Sequence, residues 1–441
     1  MNLKIYLLLT GFLFISMVNL AAQDELSLHF LPDNLAASRT NPSLLPESNL
    51  VISLPNVGFN LYHSSGNFND IFRDHPDGGL NVDFGNWIAQ LSPENELTTN
   101  LEIETVGFFL RKGKIGIQFK HEVRFHSSFF YPDTYVKLVG EGNAQYIGEK
   151  VNIGPDIQQD AYHSIALGLS YQVNDKINLS VRPKILFGIG NTTTTKKEAF
   201  IETSNEYYQT TITTDYQLNS TGILKYDVDG FNFDFESLNS GFLSNNGFAL
   251  DLGVQLQPIE KLTINLSWID GLAKINWEKN ARIYESKDTK LYEGIKIDFS
   301  DILQGDSLNF SNASDTLNFD NLFSFSARDG AYTSELPSRI YLGAAFQLTK
   351  KLSLNGLFYN QNFRGKNRQA YSLGVQAQLH KFINLGVNYA YRFESATNIG
   401  LNTTFKLGPV QIFAATDNII HVFQPFEADN VNGRLGLNLV F

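Results

Sequence analysis

The chain has 441 residues, no cysteine, 35 phenylalanines, 19 tyrosines and a formal net charge of −11. Without a thiol there are no disulfides, no thiolate metal sites and no cysteine nucleophile. The acidic balance excludes a basic nucleic-acid footprint, so no nucleic-acid partner is expected.

Residues 1–22 read as a secretory signal peptide. Lys4 is the positive start, 5–18 the short apolar core, and Leu20-Ala21-Ala22 supply small residues ahead of Gln23. The core is short for a helical span of ~20 residues. Residues 23–49 form a separate N-terminal segment. Within it, Asn41-Pro42 sets an extended entry towards the first strand.

From residue 50 onward, alternation with period two dominates. In 164–173, Ile165, Leu167, Leu169, Tyr171 and Val173 share one face; Ser164, Ala166, Gly168, Ser170 and Gln172 share the other. Phe248-Leu250-Leu252-Val254-Leu256, Tyr371-Leu373-Val375 and Leu385-Val387-Tyr389-Tyr391 repeat the pattern. Each run is about 9–13 residues, the length a tilted strand needs to cross a bilayer. Fourteen strands are predicted: 50–62, 101–111, 114–128, 162–173, 176–190, 246–258, 261–276, 338–349, 351–363, 368–379, 382–393, 397–408, 409–417 and 432–441.

The long loops 63–100, 129–161, 191–245 and 277–337 all follow odd-numbered strands. The tight turns, such as Lys112-Gly113, Asn174-Asp175 and Gly408-Pro409, follow even-numbered ones. That asymmetry predicts an all-β fold, an antiparallel outer-membrane β-barrel over 50–441, with short turns and both termini periplasmic. Two further spanning strands inside 191–245, making sixteen, would keep the same parity.

The inward face collects charge. Lys120, Glu122, Arg124, Arg182, Lys184, Asp251 and Arg392 fall on the polar side of their strands. A Lys or Arg facing lipid at mid-depth costs ~2–4 kcal/mol, so this placement needs no function to explain it. Mutual pairing across the lumen is the plain reading; a charged constriction that selects solutes is the functional one.

In the loops, 83–92 predicts a short helix whose Trp87, Ile88 and Leu91 pack on the barrel mouth. Residues 191–245 read as a hairpin standing beyond the membrane. The acidic stretch 285–320 contains the loosely repeated DSLNFSN (from Asp306) and DTLNFDN (from Asp315). Oxygen ligands there suit calcium, but a solvated loop is the simpler reading. DVDGFNFDFE from Asp227 lacks the third acidic position of a calcium loop. Thr416, Asp417 and Asn418 suit a turn or local side-chain-to-backbone bonding at the outer rim. HExxH, GxSxG and a Walker glycine loop do not occur. No cofactor, metal or enzymatic activity is therefore expected. His121 and His126 lie on the third strand with no assignable serine or acid; a membrane enzyme would need an inward Ser–His pair in hydrogen-bond reach.

The last strand places Leu435, Leu437, Leu439 and Phe441 on one face, towards lipid. It must pair with the first strand, because an open edge in lipid leaves backbone groups unsatisfied. A terminal aromatic residue resembles the signal read by the barrel-insertion machinery.

SRTNPSLLPESNLVISLP (38–55) resembles the opening of FadL- and PorV-like barrels, where an Asn-Pro pair precedes the first strand. NGFALDLG (246–253), GLAKINW (271–277), GPVQIFAATDNI (408–419) and FQPFEADNVNGRLGLNLVF (423–441) resemble an uncharacterised outer-membrane family of Bacteroidota. The resemblance covers nearly the whole mature chain. It implies a fourteen-stranded barrel with 23–49 entering or plugging the lumen, and it implies no activity. The leading expectation is passive transport or binding of small hydrophobic or amphiphilic molecules, as in FadL. The alternative is a PorV-like, non-transporting partner barrel for another envelope protein. A pocket of apolar lumen side chains with a lateral opening in the wall favours the first; a fully plugged lumen with an exposed aromatic patch on the loops favours the second.

Overall fold

The computed structural model describes residues 26–74, 80–222, 224–227, 230–233, 243–292, 323–392 and 395–441. Fourteen antiparallel strands close into a barrel. The first, β1, is broken into Leu50–Ser53 and Asn56–His63. Then come β2 (Glu94–Lys112), β3 (Ile115–Pro132), β4 (Asp156–Asn174), β5 (Ile177–Thr203), β6 (Asn246–Ile259) and β7 (Leu262–Trp277). The wall is completed by β8 (Ser338–Thr349), β9 (Leu352–Phe363), β10 (Lys366–His380), β11 (Ile383–Arg392), β12 (Ser395–Leu407), β13 (Val410–Thr416) and β14 (Asn430–Val440). Each wall strand pairs with the next in chain order. Closure is made by Val51, which pairs with Phe109 of β2 on one side and Val440 of β14 on the other.

The count is fourteen, not sixteen. At β5 the wall passes directly to β6, with Phe187 opposite Asn246. The far half of β5 instead pairs with Thr210–Thr221, which pairs with Ala281–Tyr292. These strands form an extension above the wall with its own core of Ile201, Ile212, Tyr216, Leu218, Tyr284 and Phe323. The Tyr216 hydroxyl donates to the Pro155 carbonyl at 3.0 Å, and burial pushes its phenol above the usual range. The strands at the loop end run longer than the alternation predicts, so the first two loops shorten to 64–93 and 133–155. The short helix is present as Phe84–Ala89, capped by the Asp83 side chain on the Asn86 N–H at 3.1 Å. Residues 1–25, both acidic repeats at 306 and 315, and much of the Asp227 segment lie outside the described residues.

The barrel is inside-out relative to a soluble β-protein. Leu167 and Leu373 are 58% and 72% exposed on the outer face, while Ser164 and Ala166 are buried on the inner one. Leu435 and Phe441 are likewise exposed, with Arg434 and Asn438 buried on the inner face. An apolar belt around a closed barrel has lipid as its partner, which identifies an outer-membrane type of barrel. No described helix is long and apolar enough to cross a membrane.

Candidate functional site in the plugged lumen

Residues 26–49 lie within the barrel. Two 3-10 turns, Leu26–Phe30 and Leu35–Arg39, are almost wholly buried. Short turns expose many backbone groups, and the wall satisfies them with side chains. Asp417 accepts from the N–H groups of Leu26 and Ser27 at 2.8 and 2.9 Å. Gln118 Nε2 donates to the Pro42 carbonyl, and Ser267 Oγ to that of Thr40. His29 is hydrogen-bonded to Asn265 at 2.7 Å and to Thr40 at 2.8 Å. The wall is thin where the plug presses on it. A Cβ on Gly253 would stand 2.3 Å from Asn41 Oδ1, and one on Gly343 would stand 2.5 Å from His29 Nε2.

At mid-depth the plug meets a buried ion network. Arg39 is ion-paired with Glu102, Glu104 and Glu122. Arg124 bridges Glu122 and Asp270 at 2.7 and 2.8 Å. Lys184 joins Asp270 at 2.6 Å to Asp251 at 2.8 Å, and Arg182 also holds Asp251 at 2.7 Å. Arg339 reaches Asp270 and Arg434 reaches Glu102, each at 2.7 Å. Lys120 stands 3.5 Å from Glu104. Seven cations thus face five carboxylates, so each carboxylate has at least one cation against it.

Lys120, Glu122, Arg124, Arg182, Lys184 and Asp251 therefore lie together, buried and facing the lumen. The backbone of Arg392 ends β11 opposite Ala370, and its side chain lies outside the described residues. Alternation missed Glu102, Glu104 and Asp270 for one reason. The β2–β3 register shifts between Glu104 and Val106, and the β6–β7 register shifts between Leu250 and Leu252. A bulge inserts one residue and turns the side chains past it to the other face; at Asp270 a second shift, between Phe248 and Leu250, restores the outward face by Leu272. At the second bulge Asp270 adopts φ +53°, a conformation that Asp tolerates better than most residues. Arg339 and Arg434 keep the normal alternation and were legible from it.

β13 ends at Thr416, and local side-chain-to-backbone bonding is present, with the Asn418 N–H donating to Thr416 Oγ1 at 3.1 Å, but it does not lie at a solvated rim. Asp417 and Asn418 are fully buried, and Asp417 points to the plug. The physical reason is the short β13. It stops at Thr416, opposite Leu401 in the middle of β12, so its end lies inside the wall rather than at the rim.

On the wall Ile269, Tyr341, Leu357, Tyr359, Ala370 and Ala390 form an apolar cluster. Leu26 of the plug is packed into it, with Phe30 against its edge. At the turn end, a polar cavity of about 410 Å³ is lined by Ser43, Arg111, Lys114, Asn178 and Gln257 among others. His121 is hydrogen-bonded to Thr105 and His163. His126 is bonded to Asn100 through Nδ1 and, at 3.2 Å, to Ser128 through Nε2. The Ser128 hydroxyl is buried and also bonded to Thr98 at 2.7 Å. His126 and Ser128 are thus an inward Ser–His pair in hydrogen-bond reach, but the other ring nitrogen of His126 meets an amide oxygen rather than an acid.

Among solved structures, the chain is similar to a Pseudomonas aeruginosa FadL homologue (10% identity, 94% of this chain and 95% of that one, TM-score 0.44). It is also similar to the Ralstonia pickettii toluene transporter TbuX (10%, 92% and 94%, TM-score 0.45). A deletion mutant of the monoaromatic hydrocarbon channel TodX gives 9% identity, 92% and 95% coverage and a TM-score of 0.48. No curated protein matches the chain. A family model covers residues 42–417, from the plug's Asn-Pro corner to Asp417, and on that match the chain belongs to DUF5723, a family of unknown function.

Proposed function

We propose that this outer-membrane barrel binds and passes small apolar or amphiphilic molecules, with residues 26–49 as the gate. The observation that carries this reading is the apolar cluster of the wall that the plug's own Leu26 and Phe30 complete. The plug's Leu28 and Leu31 likewise pack on Phe413 and Ala415 of the wall, so an apolar molecule gains by replacing plug side chains at such apolar contacts, whereas a polar one does not. Release of the first turn requires the loss of two N–H bonds to one carboxylate, Asp417. The buried charges hold wall and plug together; they are not a selectivity ring. The His126–Ser128 pair serves the wall in the same way, and the barrel is not an enzyme. In this reading the short turns and both termini are periplasmic, and the Phe441 strand is the segment offered to the insertion machinery.

A second reading rests on the extension above the wall. It carries a separate core, and its tip exposes Tyr207 (74%) and Tyr208 (64%), a surface suited to an envelope protein partner.

Native mass spectrometry of the barrel, extracted gently from its own membrane, tests both. A bound small apolar molecule, retained more strongly in Leu26→Ala, supports the gate. An empty barrel carrying a stoichiometric protein overturns it in favour of docking.

A further inference from the structure

We infer that the β9–β10 hairpin is an electrostatic lid across the loop-end mouth of the lumen. In a ring of fourteen strands, β9 and β10 stand opposite β2–β4. Yet the hairpin's tip makes its contacts there. Arg364 Nη1 lies 3.4 Å from Asp156 of β4. Lys366 Nζ lies 2.9 Å from Glu94, and Arg368 Nη2 lies 2.5 Å from Glu96, both on β2. Lys366 and Arg368 also stand over the Phe130 ring of β3, at 4.6 and 5.7 Å. Phe363, the last residue of β9, meets the His126 ring edge-on at 5.7 Å. The signs are sorted: in these pairs the hairpin supplies the cations and the facing rim supplies the carboxylates and the aromatic ring.

Two of the lid's three ion pairs differ in kind from those of the plug; the third, Arg368–Glu96, is only 19% and 12% exposed and holds the tip as salt weakens the others. Lys366 and Glu94 are about half exposed, and Arg364 is over a third exposed, whereas the Arg39 network is buried. Exposed pairs are individually weak and are screened as the Debye length falls from ~10 Å at 0.1 M salt to ~3 Å at 1 M. Buried pairs are screened far less. Lys197 of β5 reaches Glu94 at 3.5 Å, so that rim carboxylate keeps a cation when the hairpin leaves. Two closures therefore lie in series: an outer one governed by ionic strength and an inner one that is not. This inference concerns access to the mouth and holds whatever the barrel binds.

The chain has no cysteine, so Ser128→Cys gives a single buried reporter on the inner face of β3, below the lid. Labelling by an uncharged, bulky maleimide is expected to be slow at low salt and about tenfold faster at 1 M salt. Lys366→Glu with Arg368→Glu should be fast at both. Adding Glu94→Lys and Glu96→Arg should restore slow, salt-sensitive labelling. Rates indifferent to salt and charge reversal, or reversal without rescue by the swap, overturn the lid. A second variant needs no reporter: Glu94→Cys with Lys366→Cys should be joined by a short bis-maleimide cross-linker that spans the reach of the two long side chains they replace, and failure to cross-link overturns the placement of the hairpin.

Discussion

Asp417 accepts the backbone N–H of Leu26 at 2.8 Å, joining the end of β13 to the first turn of the plug across nearly the whole chain. Its second oxygen takes the N–H of Ser27 at 2.9 Å. A carboxylate that caps two donors at the start of a 3-10 turn orders that turn as an N-cap orders a helix.

Asp417→Ala should therefore free the first turn while leaving the wall intact. Hydrogen bonds to a charged group are worth roughly 1.5–3 kcal/mol each. Amide exchange at residues 26–30 should accelerate by at least tenfold, with β10 and β11 unchanged. Unaltered exchange at Leu26 and Ser27 would show that apolar packing alone holds the turn.

Asp270 anchors Lys184, Arg124 and Arg339 at once. Asp270→Asn strands buried cations, and the expected loss is about 3–5 kcal/mol. Urea unfolding in lipid vesicles reads it as a lowered midpoint. Adding Arg339→Met should cost less than the sum of the single changes, since one stranded cation is removed. Simple additivity would mean the two residues are uncoupled.

Gly253→Val should expel the plug rather than break the barrel. The new Cβ would stand 2.3 Å from Asn41 Oδ1 and 2.9 Å from Pro42, whereas a β-branched residue suits the strand itself. Limited proteolysis should cut within 26–49, and planar-bilayer recordings should gain steady conductance. A protected plug with silent recordings would show that the wall yields instead.

Leu373→Lys tests the membrane face directly. Leu373 is the most exposed apolar side chain in the middle of a wall strand, and a lysine there should cost ~2–4 kcal/mol in a bilayer. Folding yield into vesicles should fall, while a control substitution at exposed Lys287 of the extension, Lys287→Ala, should leave yield unaltered. Equal yields for Leu373→Lys and the parent would argue against lipid contact at this position.

Much of this architecture is visible in the residues themselves. Period-two alternation sorts side chains by face because successive Cβ atoms point to opposite sides of a strand. That local rule suffices for the lipid belt of Leu167 and Leu373, for the inward turn of Lys184 and Asp251, and for the parity of loops that makes a closed barrel, while the pairing of Phe187 with Asn246 decides for fourteen strands over sixteen. It fails at Glu102, Glu104 and Asp270, where a single inserted residue reverses the faces. Nothing local announces that Asp417 waits for Leu26, that Arg39 enters a cage of three carboxylates, or that Lys366 crosses the mouth to Glu94. Those contacts join segments far apart in the chain, and their partners are chosen by closure of the wall. Once fourteen strands fix the width of the lumen, the plug and hairpin must satisfy whatever polar groups closure leaves facing them.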